Sequence, residues 1–469
     1  ALDAVDRVEG GLGFRQVASL LRGLGLGSAE SPWSLVLSCQ ELEWERVCSR
    51  LIECGIDLAG IQQYKMPDLS AEERRQITER EPRLREVMST AGRSLATAVL
   101  RNLDLLARAK VGPSLSSGRT ALGPSEFLEW YWRTLVEDSG SDLERGIALA
   151  EIARIQADER IPAVPIERIR NAGAVGDAAR IGLVRLQTGT ARPAHDLDGD
   201  YARTHLLLRW FESTQLTEIR GRVVNPLWHR AIAGFGLCVL DRIATDTDAR
   251  ARSTWRALLE ATCDEGADGG AGLDLVFEAL SQSADAGRLI ERILPWLVAD
   301  GGGLLRRCLG TLFLAVTRPH PGINLIVPQG DTARRRELEA TVRVPSEGGW
   351  EDLLKWVTSH GEIVRRMAPL SLLDVGEAWR YGRSVCKGSG SLTATEAALC
   401  RSLVGLAWRW SRERGYGGGE SEARRRLFSL CVQVGRAEPR RVAVVIGRLS
   451  GRKEEPERPR PSEVTPPQR

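Results

Sequence analysis

Leu183-Val184-Arg185-Leu186-Gln187-Thr188-Gly189-Thr190-Ala191-Arg192-Pro193-Ala194 is the stretch on which the reading of this chain turns. Leu183 to Leu186 and Ala191 to Ala194 are runs of strand length. Gln187-Thr188-Gly189-Thr190 between them carries a glycine where a tight turn needs one, so the segment reads as a β-hairpin. Upstream, Ser141 and Glu144 have capping-box spacing, in which a hydroxyl and a carboxylate satisfy free N–H groups at a helix start. The helix they open runs to about Asp158 and sets Leu143, Ile147, Ala150 and Ala153 on one face. Pro162 and Pro165 bound turns, a short helix is expected around Ile166 to Arg170, and another opens at Asp177 and closes at Gly182. Helices followed by a hairpin in this order make a winged helix, expected over residues 126–200.

The rest of the chain is read outward from that module. The 469 residues suffice for several buried cores, and 42% hydrophobic with 27% charged residues is the balance of an ordinary globular protein. A formal net charge of +3 is too small at this length to predict a nucleic-acid partner. The 9 cysteines form no CxxC pair and no zinc-spaced cluster with histidine. Those in apolar runs, such as Cys238 and Cys431, read as reduced core residues, which argues against a disulfide framework. No apolar run reaches the roughly 18 residues of a spanning helix, and no signal peptide opens the chain. A cytoplasmic protein is expected, and the start on Ala1 in mid-pattern suggests a fragment.

Residues 1–60 look α/β: Phe14 to Leu24 has helical periodicity, Trp33 to Leu37 suits a buried strand, and a helix follows from Leu42 to Ile52. Residues 61–125 turn helical, with Ser70 and Glu73 as another capping box. From 201 to 452 amphipathic helices alternate with Gly- and Pro-containing loops without a clean repeat period, as in a helical bundle or an irregular α-solenoid. Trp210, Trp228, Trp255, Trp296, Trp356, Trp379, Trp408 and Trp410 read there as core anchors. Residues 453–469, rich in proline and charge, are expected to be disordered. The fold class is therefore mainly α.

The opening Ala1-Leu2-Asp3-Ala4-Val5-Asp6-Arg7 has the form of a strand end followed by an acidic turn. A carboxylate at such a place can hold Mg²⁺ beside nucleotide phosphates, and a second can position the attacking water. Ser31-Pro32-Trp33-Ser34-Leu35-Val36-Leu37-Ser38-Cys39-Gln40 would be the next strand of the same sheet, which puts Asp3, Asp6 and Gln40 along one edge.

These segments resemble the Walker B and sensor 1 segments of the STAND class of P-loop NTPases, the group that includes NACHT and NB-ARC proteins. The resemblance implies Asp3 as Mg²⁺ ligand, Asp3 and Asp6 as the catalytic carboxylates, and Gln40, where the family usually has Arg, as the γ-phosphate sensor. Leu100-Arg101-Asn102-Leu103-Asp104-Leu105-Leu106 resembles the family's adenine-contacting segment, with Leu103 in place of its proline. Phe127 to Leu135 resembles the entry to the family's winged helix, and Asn225-Pro226-Leu227-Trp228 a helix start in its helical arm. Ala194-His195-Asp196-Leu197-Asp198-Gly199-Asp200-Tyr201-Ala202-Arg203 resembles the His-Asp segment that ends this winged helix. By that likeness His195 contacts the β-phosphate of ADP. From the local residues alone, the same pair is a surface helix cap.

A P-loop needs G-x-x-x-x-G-K-[ST], and no lysine here has that context; Cys386-Lys387-Gly388 comes nearest and fails on both sides. His205, His229, His320 and His360 stand apart, with no HExxH. The resemblance thus implies the C-terminal part of an ATP-dependent signalling switch, a prokaryotic antiviral or stress sensor. Its intact parent would be an oligomerising ATPase that uses ATP/ADP and Mg²⁺, while this chain alone would bind no nucleotide and would meet a protein trigger through its helical region. The alternatives are a helical scaffold that binds another protein, or a winged-helix DNA binder. For the latter, the helix around Ala174 to Ile181 offers only Arg180 beside Asp177.

Overall fold

The computed structural model describes residues 10–23, 37, 44–56, 70–84, 124–137, 143–263, 270–281, 283, 285–299, 301–327, 331–346, 349–385, 392–412, 418–434 and 443. The chain is mainly helical. It divides into two compact units, Ala1–Val316 with Pro321–Ala340, and Thr317–His320 with Thr341–Arg469. Residues 201–452, read above as one helical region, contribute to both. No helix among the described residues is long and apolar enough to cross a membrane.

In the first unit, α1 (Gly10–Gly23) and α2 (Trp44–Glu53) bury Phe14, Leu21, Val47 and Leu51 against each other. Helix α3 (Ala71–Arg80) starts at the expected capping box: Glu73 N–H donates to Ser70 Oγ at 3.2 Å, and Ser70 N–H to the Glu73 carboxylate at 2.8 Å. The Ser141–Glu144 box, most of the 33–37 strand, the 100–106 segment and the 453–469 tail lie outside the described residues.

Helix α4 (Pro124–Tyr131) runs into a π-helical turn, Trp132–Val136, and α5 (Leu143–Glu159) follows. Strand β1 (Val164–Pro165), α6 (Ala172–Arg180), β2 (Val184–Gln187) and β3 (Thr190–Pro193) complete a small α+β module. Its sheet order is β1-β3-β2, antiparallel throughout, with Val164 opposite Ala191 and Gln187 opposite Thr190. Only Thr188 and Gly189 separate the last pair, both at positive φ (42° and 78°), as a two-residue hairpin turn requires. The expected hairpin is therefore present, with Val184, Ala191 and Pro193 buried, Leu186 exposed, and Arg185 directly opposite Arg192. Phe127, Tyr131, Leu149, Ile152, Val164, Val175, Val184 and Ala191 share one core.

One sequence expectation in this module holds only in part and another fails. Of the expected face, Ala150 and Ala153 are buried together with Ala148, Leu149 and Ile152, whereas Leu143 and Ile147 are 57% and 41% exposed. The buried stripe of α5 is set by α6, β3 and the helix that follows the hairpin (Asp196–Glu212), which pack against it, and small alanines let those neighbours approach, so the face read from apolar periodicity is only half right. Helix α6 opens at Asn171, whose Oδ1 accepts from Ala174 N–H at 3.2 Å, not at Asp177, which lies inside the helix. Gly173 and Gly176 disguise the start, but burial of Ala174, Val175 and Ala178 overrides their poor helix propensity. The helix ends at Gly182 as expected: φ is +78°, Gly182 N–H donates to Ala179 O and Leu183 N–H to Ala178 O, a Schellman closure.

Beyond the hairpin come α7 (Asp196–Glu212), α8 (Leu216–Arg220), α9 (Pro226–Thr245), α10 (Asp248–Thr262), α11 (Ala271–Leu280), α12 (Ala286–Leu297) and α13 (Gly303–Ala315). Asn225 caps α9, its Oδ1 accepting from Leu227 N–H at 3.1 Å, with Pro226 at the first helical position. Helix α9 is the axis of this region and packs on α4, α7, α10, α11 and α12. At its closest approach to α11, a Cβ on Gly236 would overlap the Val276 side chain, so only glycine fits. The module is clamped to these helices by Arg222. Its guanidinium lies over Trp210 and Trp228, 4.5 and 5.0 Å from the ring centroids, and reaches Asp158 of α5 at 2.8 Å and Glu218 at 2.8 Å. Trp228 Nε1 donates to the same Asp158 at 2.9 Å. Helices α14 (Ile323–Ile326) and α15 (Thr332–Thr341) follow, the latter in this unit through Ala340.

The second unit pairs β4 (Thr317–Pro319) with β5 (Arg343–Pro345), antiparallel. Arg343 is buried across that pair, donating to Thr317 Oγ1 and to its carbonyl, both at 2.8 Å. Helices α16 (Trp350–Ser359), α17 (Gly361–Met367), α18 (Pro369–Val385), α19 (Ala394–Arg412) and α20 (Gly418–Val434) pack around Leu372, Leu373, Leu403, Leu427 and Leu430. Of the tryptophans expected as anchors, Trp228, Trp255, Trp356 and Trp379 are buried, and Trp210, Trp296, Trp408 and Trp410 half-buried. Cys238, Cys308, Cys400 and Cys431 are buried thiols, as their apolar contexts suggest.

Candidate functional site

The start of α7 is where the sequence places most of its chemistry within the described residues. The chain leaves β3 extended, so His195 (φ −136°, ψ 152°) is the N-cap. Its Nδ1 accepts from Leu197 N–H at 3.1 Å, and its own N–H donates to Asp198 Oδ2 at 3.1 Å. This is the reciprocal logic of a capping box, with imidazole in place of a hydroxyl and Asp in place of Glu. With Nδ1 as acceptor, the neutral ring carries its proton on Nε2. His195 is exposed, so that N–H faces outward as a donor.

The acidic residues around it have separate duties. Asp198 is fully buried, and its Oδ1 accepts from Tyr131 OH at 3.3 Å, which ties α7 to α4. Asp200, also buried, accepts from Arg203 Nη2 at 2.6 Å, and Arg203 Nη1 donates to Ala153 O of α5 at 3.1 Å. The other Asp200 oxygen lies 3.7 Å from Arg230 of α9. Gly199 packs on Pro193 and Arg203, so the turn into the helix is tightly filled. Of the run from Asp196 to Asp200, only Asp196 reaches the surface. A cluster that reads as acidic in sequence is mostly interior wiring, and His195 is the group it presents.

Asp3, Asp6 and Gln40 lie outside the described residues, so their relation to His195 is not defined here. His229 and His360 do structural work: His229 Nε2 lies 3.1 Å from Val223 O, and His360 stacks on Trp356 with centroids 4.4 Å apart. His205, farther along α7, stacks flat on Trp132, and burial, aided by Arg209, pushes its pKa down to about 4. Sequence reasoning missed this pair. Nothing in the spacing of Trp132 and His205 signals contact, and a π-helical turn has no sequence code. Arg180, the single cation on the outer side of α6, is tied to Asp177 at 2.9 Å. No protein-family model matches the chain, and no curated protein matches it.

Proposed function

We propose that the chain is the C-terminal part of a STAND-type signalling NTPase, with the α5–β3 module as its winged helix and the helices after it as a sensor arm. One observation carries the reading. A helix–strand–helix–hairpin unit with sheet order β1-β3-β2 leads directly into an exposed histidine at the next helix N-cap, at the position that the family resemblance assigns to the nucleotide contact. His195 suits a phosphate: its outward nitrogen is a donor, the positive end of α7 adds to the field, and Asp198 is turned inward. ATP with Mg²⁺, when bound by the intact protein, would supply the phosphoryl group and its counter-charge. Asp3, Asp6 and Gln40 are the proposed nucleotide-side residues, and no step is derived from them. A DNA-reading role is disfavoured because α6 offers one guanidinium, already paired with Asp177.

On this reading the intact protein is a cytoplasmic, oligomerising antiviral or stress sensor, and His195 holds the closed, ADP-bound state. One charge-assisted hydrogen bond is worth about 1.5–3 kcal/mol. His195→Ala in the protein with its upstream P-loop region should weaken ADP binding at least ten-fold and raise basal oligomerisation without a trigger. Light scattering and ADP titration read both. Unchanged ADP affinity and unchanged oligomerisation would reduce His195 to a helix cap.

A further inference from the structure

Helix α4 ends in a π-helical turn, Trp132–Val136, and such turns accompany functional sites. The turn presents Trp132 to α7. The indole lies flat on the His205 imidazole, with ring centroids 3.8 Å apart and planes within 7°. Behind it sits Gly146 of α5, where a Cβ would come within 3.2 Å of the indole, and its Nε1 donates to Glu137 at 2.8 Å. The stack is therefore seated on one side and oriented at its edge. It forms part of the wall of a cleft of about 720 Å³ between α4, α7, α9 and α12. That volume lies within the range of small-molecule sites.

The charged groups of the cleft are largely committed to one another. Arg133 reaches Glu129 at 3.3 Å, Arg242 reaches Glu212 at 2.7 Å, and Arg288 reaches Asp241 at 3.3 Å. Arg209, one turn past His205, is the exception: among the described residues no carboxylate pairs with it. The imidazole is neutral at pH 7, because burial and then Arg209 hold its pKa down to about 4. The wall thus offers an uncharged flat aromatic surface beside a single uncommitted guanidinium.

We propose that this cleft binds a small ligand made of a planar aromatic ring and one anionic group, the ring against the Trp132–His205 stack and the anion on Arg209. Ring-on-ring packing suits a neutral imidazole, and the guanidinium fork matches a carboxylate or phosphate. A cationic ligand would find the carboxylates already engaged. The site stands independently of the nucleotide reading and involves none of its residues.

The test uses the 469-residue chain in calorimetric titrations with three probes: naphthoate, naphthyl phosphate and naphthylmethylammonium. The expected result is binding of one or both anions with a Kd below about 1 mM, and binding of the cation at least about ten-fold weaker. Arg209→Gln should weaken the anions about ten-fold and narrow their advantage over the cation. His205→Ala should weaken the anions, while His205→Phe, which keeps a flat ring, should retain them. Circular dichroism confirms that each variant is folded. The naphthoate and naphthyl phosphate arms separate a carboxylate ligand from a phosphate one. Three results overturn the proposal: neither anion binds, Arg209→Gln changes nothing, or His205→Phe loses as much as His205→Ala.

Discussion

Replacing Asp198 with alanine tests the wiring beneath His195 directly. Asp198 is fully buried and accepts hydrogen bonds from the His195 backbone N–H at 3.1 Å and from Tyr131 OH at 3.3 Å. Losing the cap costs about 0.5–2 kcal/mol. Losing a negative charge in the first turn costs about 0.3–1 kcal/mol, and a buried Tyr131 hydroxyl left without its acceptor about 1–3 kcal/mol. Together these come to roughly 4 kcal/mol. A chain with two units need not unfold in one step, so the suitable assay is amide hydrogen exchange at Leu197 to Ala202, which reads local opening. Exchange there should accelerate by close to three decades, less if global opening already limits it. Tyr131→Phe combined with Asp198→Ala in a double-mutant cycle should give a coupling of about 1 kcal/mol or more. Exchange at α7 unchanged within a factor of three, or a coupling indistinguishable from zero, would refute this account of the α7 start.

Gly236→Ala should destabilise the first unit by about 1–3 kcal/mol, because the new methyl overlaps Val276, and Val276→Ala should restore part of the loss; urea unfolding measures both. Ile147→Lys should shift stability by less than about 0.5 kcal/mol, whereas Leu149→Ala, on the buried side of the same helix, should cost about 2–5 kcal/mol in the same measurement. His205 is held neutral, with a folded pKa of about 4 against an ordinary value of 6.5, so the unfolded chain binds the extra proton between those values. Its contribution is complete above pH 6.5 and is lost as pH falls toward 4; between pH 7.5 and 5 the loss should be about 2 kcal/mol, absent in His205→Phe, by urea unfolding at both pH values.

What could be read from sequence was what is coded locally. The hairpin needs positive φ at its two turn residues, and Thr188-Gly189 announces that in a four-residue window. The Ser70–Glu73 box closes over three residues, and Gly182 ends α6 through its own backbone. Failure begins where a neighbour from elsewhere in the chain decides. Leu143 and Ile147 share a helical face with the buried Ala150 and Ala153, but α7, α6 and β3 cover only part of that face of α5. Strands β4 and β5 are three residues each and contain prolines, so no alternation marks the pair that organises the second unit. At the candidate site, His195 as a helix cap was legible from the His195-Asp196 pair at the start of a helical run. The burial of Asp198 and Asp200 was not, since it depends on Tyr131 and Arg203 meeting them from α4 and from within α7.

The Arg222 clamp has a mechanical consequence. Asp158 takes two hydrogen bonds from Arg222 and one from Trp228, so a single carboxylate at the end of α5 joins the small module to α7, α8 and α9. Swinging the module against those helices would break the hydrogen bonds that Asp158 takes from Arg222 and Trp228 and lift a guanidinium off two indole rings at once. Loads applied to the hairpin are therefore transmitted along α5 into the helical region instead of being absorbed at the junction. The three residues Asp158, Arg222 and Trp228 form one mechanical joint, so a change at any of them alters the partners of the other two.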